Sequence, residues 1–255
     1  MVKSICGTAD DENRAIHMVS AWANKQRLVL GQIKTDDKSN EITAVPQLLD
    51  MLNIENCIIT ADAMNCQKEI AKKIIDKKAD YVFGLKGNQH SLYDDVKLYF
   101  EHTEIKNTTI TKDKGHGRIE TREYFLETDI DWLFQKPAWK GLQGIGMVKS
   151  RTIEKEKLRE ETRYFITSLI DINSFSQATR EHWGIENSLH WVLYVGFNED
   201  KCRIRKNNSG ENFAVIRHIA LNLLKKDDSK MSMRGKRHRC AYDDEFLAHI
   251  LFELG

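Results

Sequence analysis

Proline is scarce in this chain, 2 in 255 residues, and 14 glycines are too few for a flexible linker or a low-complexity tract. Long apolar runs are missing too. Nothing approaches 18 consecutive apolar residues, and the opening MVKSICGTADDENR lacks the apolar stretch of a secretory signal. The expectation is a cytoplasmic protein with no membrane partner. The five cysteines, Cys6, Cys57, Cys66, Cys202 and Cys240, form no CxxC pair and no Cys/His cluster of zinc spacing. Reduced structural thiols are expected, not a disulfide framework.

What is present describes a globular protein: 41% hydrophobic and 30% charged residues, on a chain long enough to bury a sizeable core. The net charge of +1 identifies no partner, but its distribution is uneven. Residues 201–240 carry twelve Lys/Arg against three Asp/Glu, a local net of +9, so the other 215 residues sum to −8. Such a segment is the electrostatic footprint of a phosphate-backbone site; a solvated, lysine-rich helical surface would look the same.

The first half alternates strand-like and helical runs. Ala15–Trp22 and Arg27–Ile33 read as strands joined by the turn Asn24-Lys25-Gln26. Ile42–Leu52 is helical in spacing, Cys57–Ala61 a short buried strand, and Cys66–Ile75 a helix with Ile70, Ile74 and Ile75 inward. Ala79–Leu85 is a further strand and Leu92–Phe100 a further helix. Glu101–Gly117 reads as polar loop. Arg118–Leu126, Ile145–Thr152 and Thr162–Ser168 are strand candidates spaced like an antiparallel insertion, before helices at Phe175–Leu193, Glu211–Lys225 and Asp243–Leu254. The fold class is α/β, a mixed sheet with helices, interrupted by a β-rich insertion and closed by a helical C-terminal part.

Two places carry residue types suited to chemistry. Asp62 closes the strand CIITA immediately before a helix, where ligands gather in open α/β sheets. An Asx there caps a helix more often than it catalyses. The second place is REHWGIENSLHWVLYVGFNED, residues 180–200. In a continuous helix His182, Glu186 and His190 share one face at i, i+4 and i+8, while Ile185, Leu189 and Val192 pack on another. The plain alternative is a solvated polar face anchored by Trp183 and Trp191; the spacing is not the HExxH of a zinc helix.

The segments ITADAMNCQKEIA, ADYVFGLKGNQ, DKGHGRIETREY, REHWGIENSLHW and FNEDKCRIR occur in that order between about Ala15 and Lys225. Together they resemble the DDE transposases of the branch containing the H-repeat-associated proteins. The resemblance implies a ribonuclease H-like fold with three catalytic acids, of which Asp62 in TADAM matches the second and Glu186 in HWGIEN the third. The 124 residues between them imply the β insertion of that branch. On this basis residues 1–101 are the first part of the core, 102–170 the insertion, 171–226 the helical part carrying Glu186, and 227–255 a basic segment and helix.

The chemistry so implied is DNA end cleavage and strand transfer, with Asp62 and Glu186 as catalytic metal ligands. Hard, oxygen-ligated Mg²⁺ or Mn²⁺ suits it, as two ions about 4 Å apart in the intact site. Lys86, Asn88, Gln89, His116, Arg118, Arg122, His182, His190, Lys201, Arg203, Arg205 and Lys206 become the candidate DNA contacts. Plainer readings stand beside some of them: Gly87 alone builds a strand-ending turn in LKGNQ, and Arg118–Glu120–Arg122 forms a surface ion-pair ladder of little energetic worth. The partners implied are transposon-end and target DNA, with a homodimer on DNA.

Two departures qualify the resemblance. Tyr194 stands where that branch has Asp, and Met1 stands where its first catalytic Asp belongs. The expectation is an incomplete copy lacking its central first strand, with residues 1–8 too few and too polar to replace it. Alternatives are a DNA-binding remnant without catalysis and a structure-selective endonuclease on the same fold.

Overall fold

Alternating apolar and polar residues, interrupted by polar turns, build two separate sheets in the computed structural model. It describes residues 2–5, 16–35, 41–115, 117–155, 157–182, 184–204 and 206–253, except the side chains of 2–5, 16, 41, 186 and 187. The chain divides into two compact units, Met1–Leu52 with Trp183–Gly255, and Asn53–His182.

The first unit holds an antiparallel sheet in the order β1 (Val2–Ile5), β2 (Ile16–Ala23), β3 (Leu28–Thr35). The β2–β3 turn ends on Arg27 in the left-handed region, φ 55°. Helix α1 (Glu41–Met51) covers this sheet through Val19, Ala44 and Leu48. After the π-helical turn Glu186–His190 come α5 (Trp191–Phe197), α6 (Ser209–Lys226), α7 (Met233–Arg239) and α8 (Asp244–Ala248). Ile185, Leu189, Leu193 and Leu221 form a core against Trp22 and Val29. Steps of four residues drift by about 40° each on an α-helix. The wider π turn takes up that drift, so Ile185, Leu189 and Leu193 all stay buried.

The second unit is one six-stranded sheet in the order β4-β5-β9-β8-β7-β6. Strands β4 (Ile58–Ala61) and β5 (Asp80–Leu85) are parallel, joined by α2 (Lys68–Asp76). Helix α3 (His90–His102) leads into β6 (Thr108–Gly115), β7 (Arg118–Glu127), β8 (Gly144–Glu154) and β9 (Lys157–Thr167), all antiparallel. Strand β9 pairs with β5, so the strands of the 102–170 stretch continue the sheet begun by β4 and β5. The sheet curls round α4 (Ile172–His182), which contacts β4, β5, β6 and β7. The fully buried Phe175 of α4 lies over Gly146, where a Cβ would stand 2.2 Å from the ring. Burying that ring contributes about 1.5–3 kcal/mol.

Several expectations are corrected. The polar loop at Glu101–Gly117 contains β6, TTITKDKG, an edge strand that pairs with β7 at eight positions. An edge strand needs a backbone partner, not an apolar face. Residues 1–8 do supply a strand: Val2–Ile5 pairs with β2 at four positions. The unpaired backbone groups of β2 accept any extended segment, polar or not. Among the described residues that strand pairs with β2 alone, while β4 is the outermost strand of the other sheet. The single helix expected over Phe175–Leu193 is α4, a π turn and α5. The Asp243–Leu254 helix is α8 followed by a second π-helical stretch, His249–Glu253. Ile75 is half-buried, unlike Ile70 and Ile74.

Candidate active site

Strand β4 delivers its last side chains to the carboxyl edge of the parallel pair β4–β5, and Asp62 follows directly. Asp62 is the N-cap of the short 3₁₀ turn Ala63–Asn65. Its Oδ1 accepts from the Asn65 backbone N at 3.3 Å and from Asn65 Nδ2 at 2.9 Å. The capping alternative therefore describes part of what this carboxylate does, and it occupies one oxygen.

The turn is held from the next loop. Asn88 Nδ2 donates to the Ala63 carbonyl at 2.6 Å, and Gln89 Nε2 donates to the Cys66 carbonyl at 2.9 Å. Gly84 lies beneath, where an added Cβ would touch Ala63 N at 3.4 Å. Lys86, one residue past β5, is exposed. Thr60, two residues before Asp62 and so on the same strand face, has its Oγ1 3.0 Å from His182 Nδ1. Burial pushes the His182 imidazole down to about 4; Asp62 opposes the shift and Arg163 adds to it. His182 is neutral at physiological pH.

Arg118 and Arg122 share one face of β7, as the alternation requires, and both pair with Glu120, Arg122 at 2.5 Å. His116 and Arg205 lie outside the described residues.

In the other unit Glu186 opens the π turn and His190 ends it. The i, i+4 relation expected for these two presumed α-helical winding; over this turn the register is that of i to i+5. The side chain of Glu186 lies outside the described residues. His190 lines a cavity of about 10 Å³, the size of one water, with Ser20, Glu199 and His218. Glu199 is 1% exposed. Lys225 Nζ donates to the Ser188 carbonyl of the π turn at 2.9 Å. Tyr194 is half-exposed beside Trp191, ring centroids 6.4 Å apart.

Lys201, Arg203 and Lys206 are exposed. The +9 segment is less available than its count suggests. Lys236 is buried and paired with Asp227 at 3.0 Å, and Arg239 holds Asp243 at 2.8 Å.

Asp62, Asn88, Gln89 and His182 are thus gathered at one strand end, Arg118 and Arg122 meet through Glu120, and Glu186 and His190 belong to the other unit. Among the described residues no three His, Cys, Asp or Glu side chains form a metal-binding group. Sequence reasoning missed Thr60, Asn65, Glu199 and Lys225. Only Asn65 had a signal, the Asx-capped D-A-M-N spacing.

Residues 6–223 match the family model described as the transposase DDE domain, and the chain belongs to that family. Two proteins of Escherichia coli K12, YbfL and the H repeat-associated YhhI, are each 43% identical to it over 251 residues. The match covers 93% of this chain and 66% of each relative, so the chain spans about two thirds of their length. The solved structure of the piggyBac transposase synaptic complex with hairpin DNA is similar in fold, with a TM-score of 0.50 at 10% identity. That likeness covers all of this chain and 51% of the other. No helix among the described residues is long and apolar enough to cross a membrane.

Proposed function

We propose that this chain is the ribonuclease H-like catalytic core of a DNA transposase, which cuts transposon ends and joins the freed 3′-OH to target DNA. The observation that carries the reading is Asp62, at the end of β4 in a turn that Asn88 and Gln89 brace, in a chain of the transposase DDE domain family. Both described hydrogen bonds to its carboxylate fall on Oδ1, which leaves Oδ2 as a hard oxygen donor. Asp62 and Glu186 would hold Mg²⁺ or Mn²⁺, for which carboxylates are the fitting ligands. Bound there, such ions neutralise charge at phosphorus and make the attacking water or 3′-OH more acidic.

The protein's own residues do the rest. Asn88 and Gln89 fix the turn through its carbonyls with one N–H each, and the second N–H of each amide is a donor for phosphate. Neutral His182 holds Thr60, two residues before Asp62. Lys86, Arg118, Arg122, Lys201, Arg203, Arg205 and Lys206 are phosphate contacts, with His116 and His190 as further DNA contacts. Pairing of two transposon ends calls for two copies on DNA.

Mn²⁺ titration calorimetry tests the reading without requiring turnover. Weak binding that falls at least about tenfold in Asp62→Asn and in Glu186→Gln is the expected result. Unchanged affinity in both variants removes the reading. Cleavage of a duplex carrying the element's inverted repeats, lost in Glu186→Gln, would show that this chain supplies a third acid. DNA binding without metal binding would favour the non-catalytic remnant.

A further inference from the structure

Every carbonyl of an α-helix interior has an N–H partner four residues on. A π turn moves those partners to five residues on and widens the ring, which gives a side-chain donor room to reach a carbonyl of the turn. Ser188 is the third residue of the π turn Glu186–His190, and its carbonyl takes the Lys225 ammonium at 2.9 Å. This lysine is half-buried with its Nζ 4.0 Å from the centroid of the Trp22 ring. Burial, with Arg27 in the same direction, pushes it down to about 8. A lysine serving solubility alone would keep its head group in water.

The base from which Lys225 reaches is itself fixed. One turn earlier on α6, Asn222 reads the backbone of Val29 as another strand would: Oδ1 accepts from Val29 N at 3.0 Å and Nδ2 donates to Val29 O at 2.9 Å. Val29 is the register partner of Trp22 across β2 and β3. Sheet, α6 and π turn are therefore tied at one corner, and Lys225 makes the last link.

We propose that Lys225 is a positioning residue: by holding the Ser188 carbonyl it keeps the π turn wound and so sets the backbone register of the turn that Glu186 opens. Relaxation of that turn to α-helical winding deletes one residue of bulge. The segments on either side then rotate by about 100° relative to each other. The inference rests on the role of Glu186 proposed above, but the winding of the turn can be read without it.

The test uses the full chain as wild type, Lys225→Met, Lys225→Arg and Glu186→Gln, with hydrogen exchange of the 186–197 amides and Mn²⁺ calorimetry. Lys225→Met is expected to speed exchange in the turn about tenfold, and Lys225→Arg to restore it. Mn²⁺ affinity in Lys225→Met should fall toward that of Glu186→Gln and recover in Lys225→Arg. Wild-type protection of the turn in Lys225→Met overturns the proposal. Lost protection, with Mn²⁺ affinity insensitive to both Lys225→Met and Glu186→Gln, upholds the winding role and sinks the catalytic reading of Glu186 instead. If Lys225→Met does not fold, Lys225→Gln keeps a donor without charge. Exchange within about threefold of wild type then supports the link, and tenfold faster exchange overturns it.

Discussion

The two candidate acids stand on different kinds of support. Asp62 follows a strand whose position is set by a parallel ladder to β5, and side-chain amides from the next loop hold its turn. Glu186 opens a π turn whose Ser188 carbonyl is held by a lysine from another helix. The first arrangement is written into sheet geometry and is braced by more than one side-chain hydrogen bond. The second adds to the buried Ile185–Leu189–Leu193 row a single ammonium on its backbone. Precision at a site can thus come from topology or be added by one side chain, and only the second can be tuned without refolding the domain.

The sharpest way to break this comparison is to remove the core under the Asp62 sheet. Phe175→Ala empties a fully buried site and should cost about 3–5 kcal/mol in urea unfolding, with faster exchange at residues 62–66. A loss below about 1 kcal/mol would mean that the curled sheet does not depend on α4. Gly146→Ala attacks the same contact from the other side. Its Cβ would stand 2.2 Å from Phe175, so overpacking of about 1–3 kcal/mol is expected. Pairing it with Phe175→Leu should recover part of that loss, because neighbouring sites are not additive.

Much of this frame was legible in the sequence, for definite reasons. Strands β2, β3, β5, β7, β8 and β9 alternate or run apolar between turn signals, and α2 shows Ile70 and Ile74 at helical spacing. Strand β6 was not legible, since both of its faces are largely wet and Thr, Lys and Asp give no apolar alternation. The π turn was not legible either. A row at 185, 189 and 193 fits an α-helix nearly as well, and the lysine that holds the turn is 37 residues further on. At the site, Asp62 could be placed at a strand end from sequence, whereas its link to His182 through Thr60 spans 122 residues and needs the fold. Nothing local in the sequence distinguishes Glu199, which is buried, from the charged residues beside it.

His182 offers a test by acid. Its imidazole is held near 4 by burial, while in the unfolded chain it titrates near 6.5. Between those values the unfolded state binds the extra proton. Its contribution is therefore complete above about pH 6.5 and is lost as pH falls toward 4. Stability measured across that window should decline in wild type and decline less in His182→Gln. Equal slopes would mean that His182 is not buried as neutral imidazole. Lys225 has the same sign at higher pH: the cost of burying its charge is relieved as pH rises from about 8 toward 10.5.

The cations proposed as phosphate contacts sharpen the contrast differently, since their proposed role is on DNA and not in the fold. Replacing Lys201, Arg203, Arg205 and Lys206 by Ala should flatten the log–log salt dependence of DNA binding by about 3–4 units. Stability should stay within about 0.5 kcal/mol, as for surface positions generally. An unchanged slope would move the binding surface elsewhere and leave the charge of 201–240 to internal pairs such as Lys236–Asp227.

The smallest effect is expected at Glu120, and it separates two readings of one motif. Glu120 receives both Arg118 and Arg122 on β7, with its own carboxylate and Arg122 half-buried and Arg118 exposed. Gln keeps the side-chain shape and one acceptor oxygen, so Glu120→Gln should cost no more than about 1 kcal/mol in stability. It does remove the charge that competes with phosphate for two guanidiniums. If the strand faces DNA, the variant should bind more tightly at low salt, with a slope steeper by up to about one unit. If the arginines only brace the sheet, affinity and slope will match wild type, and β7 then leaves the DNA surface while Asp62 and its brace keep their place.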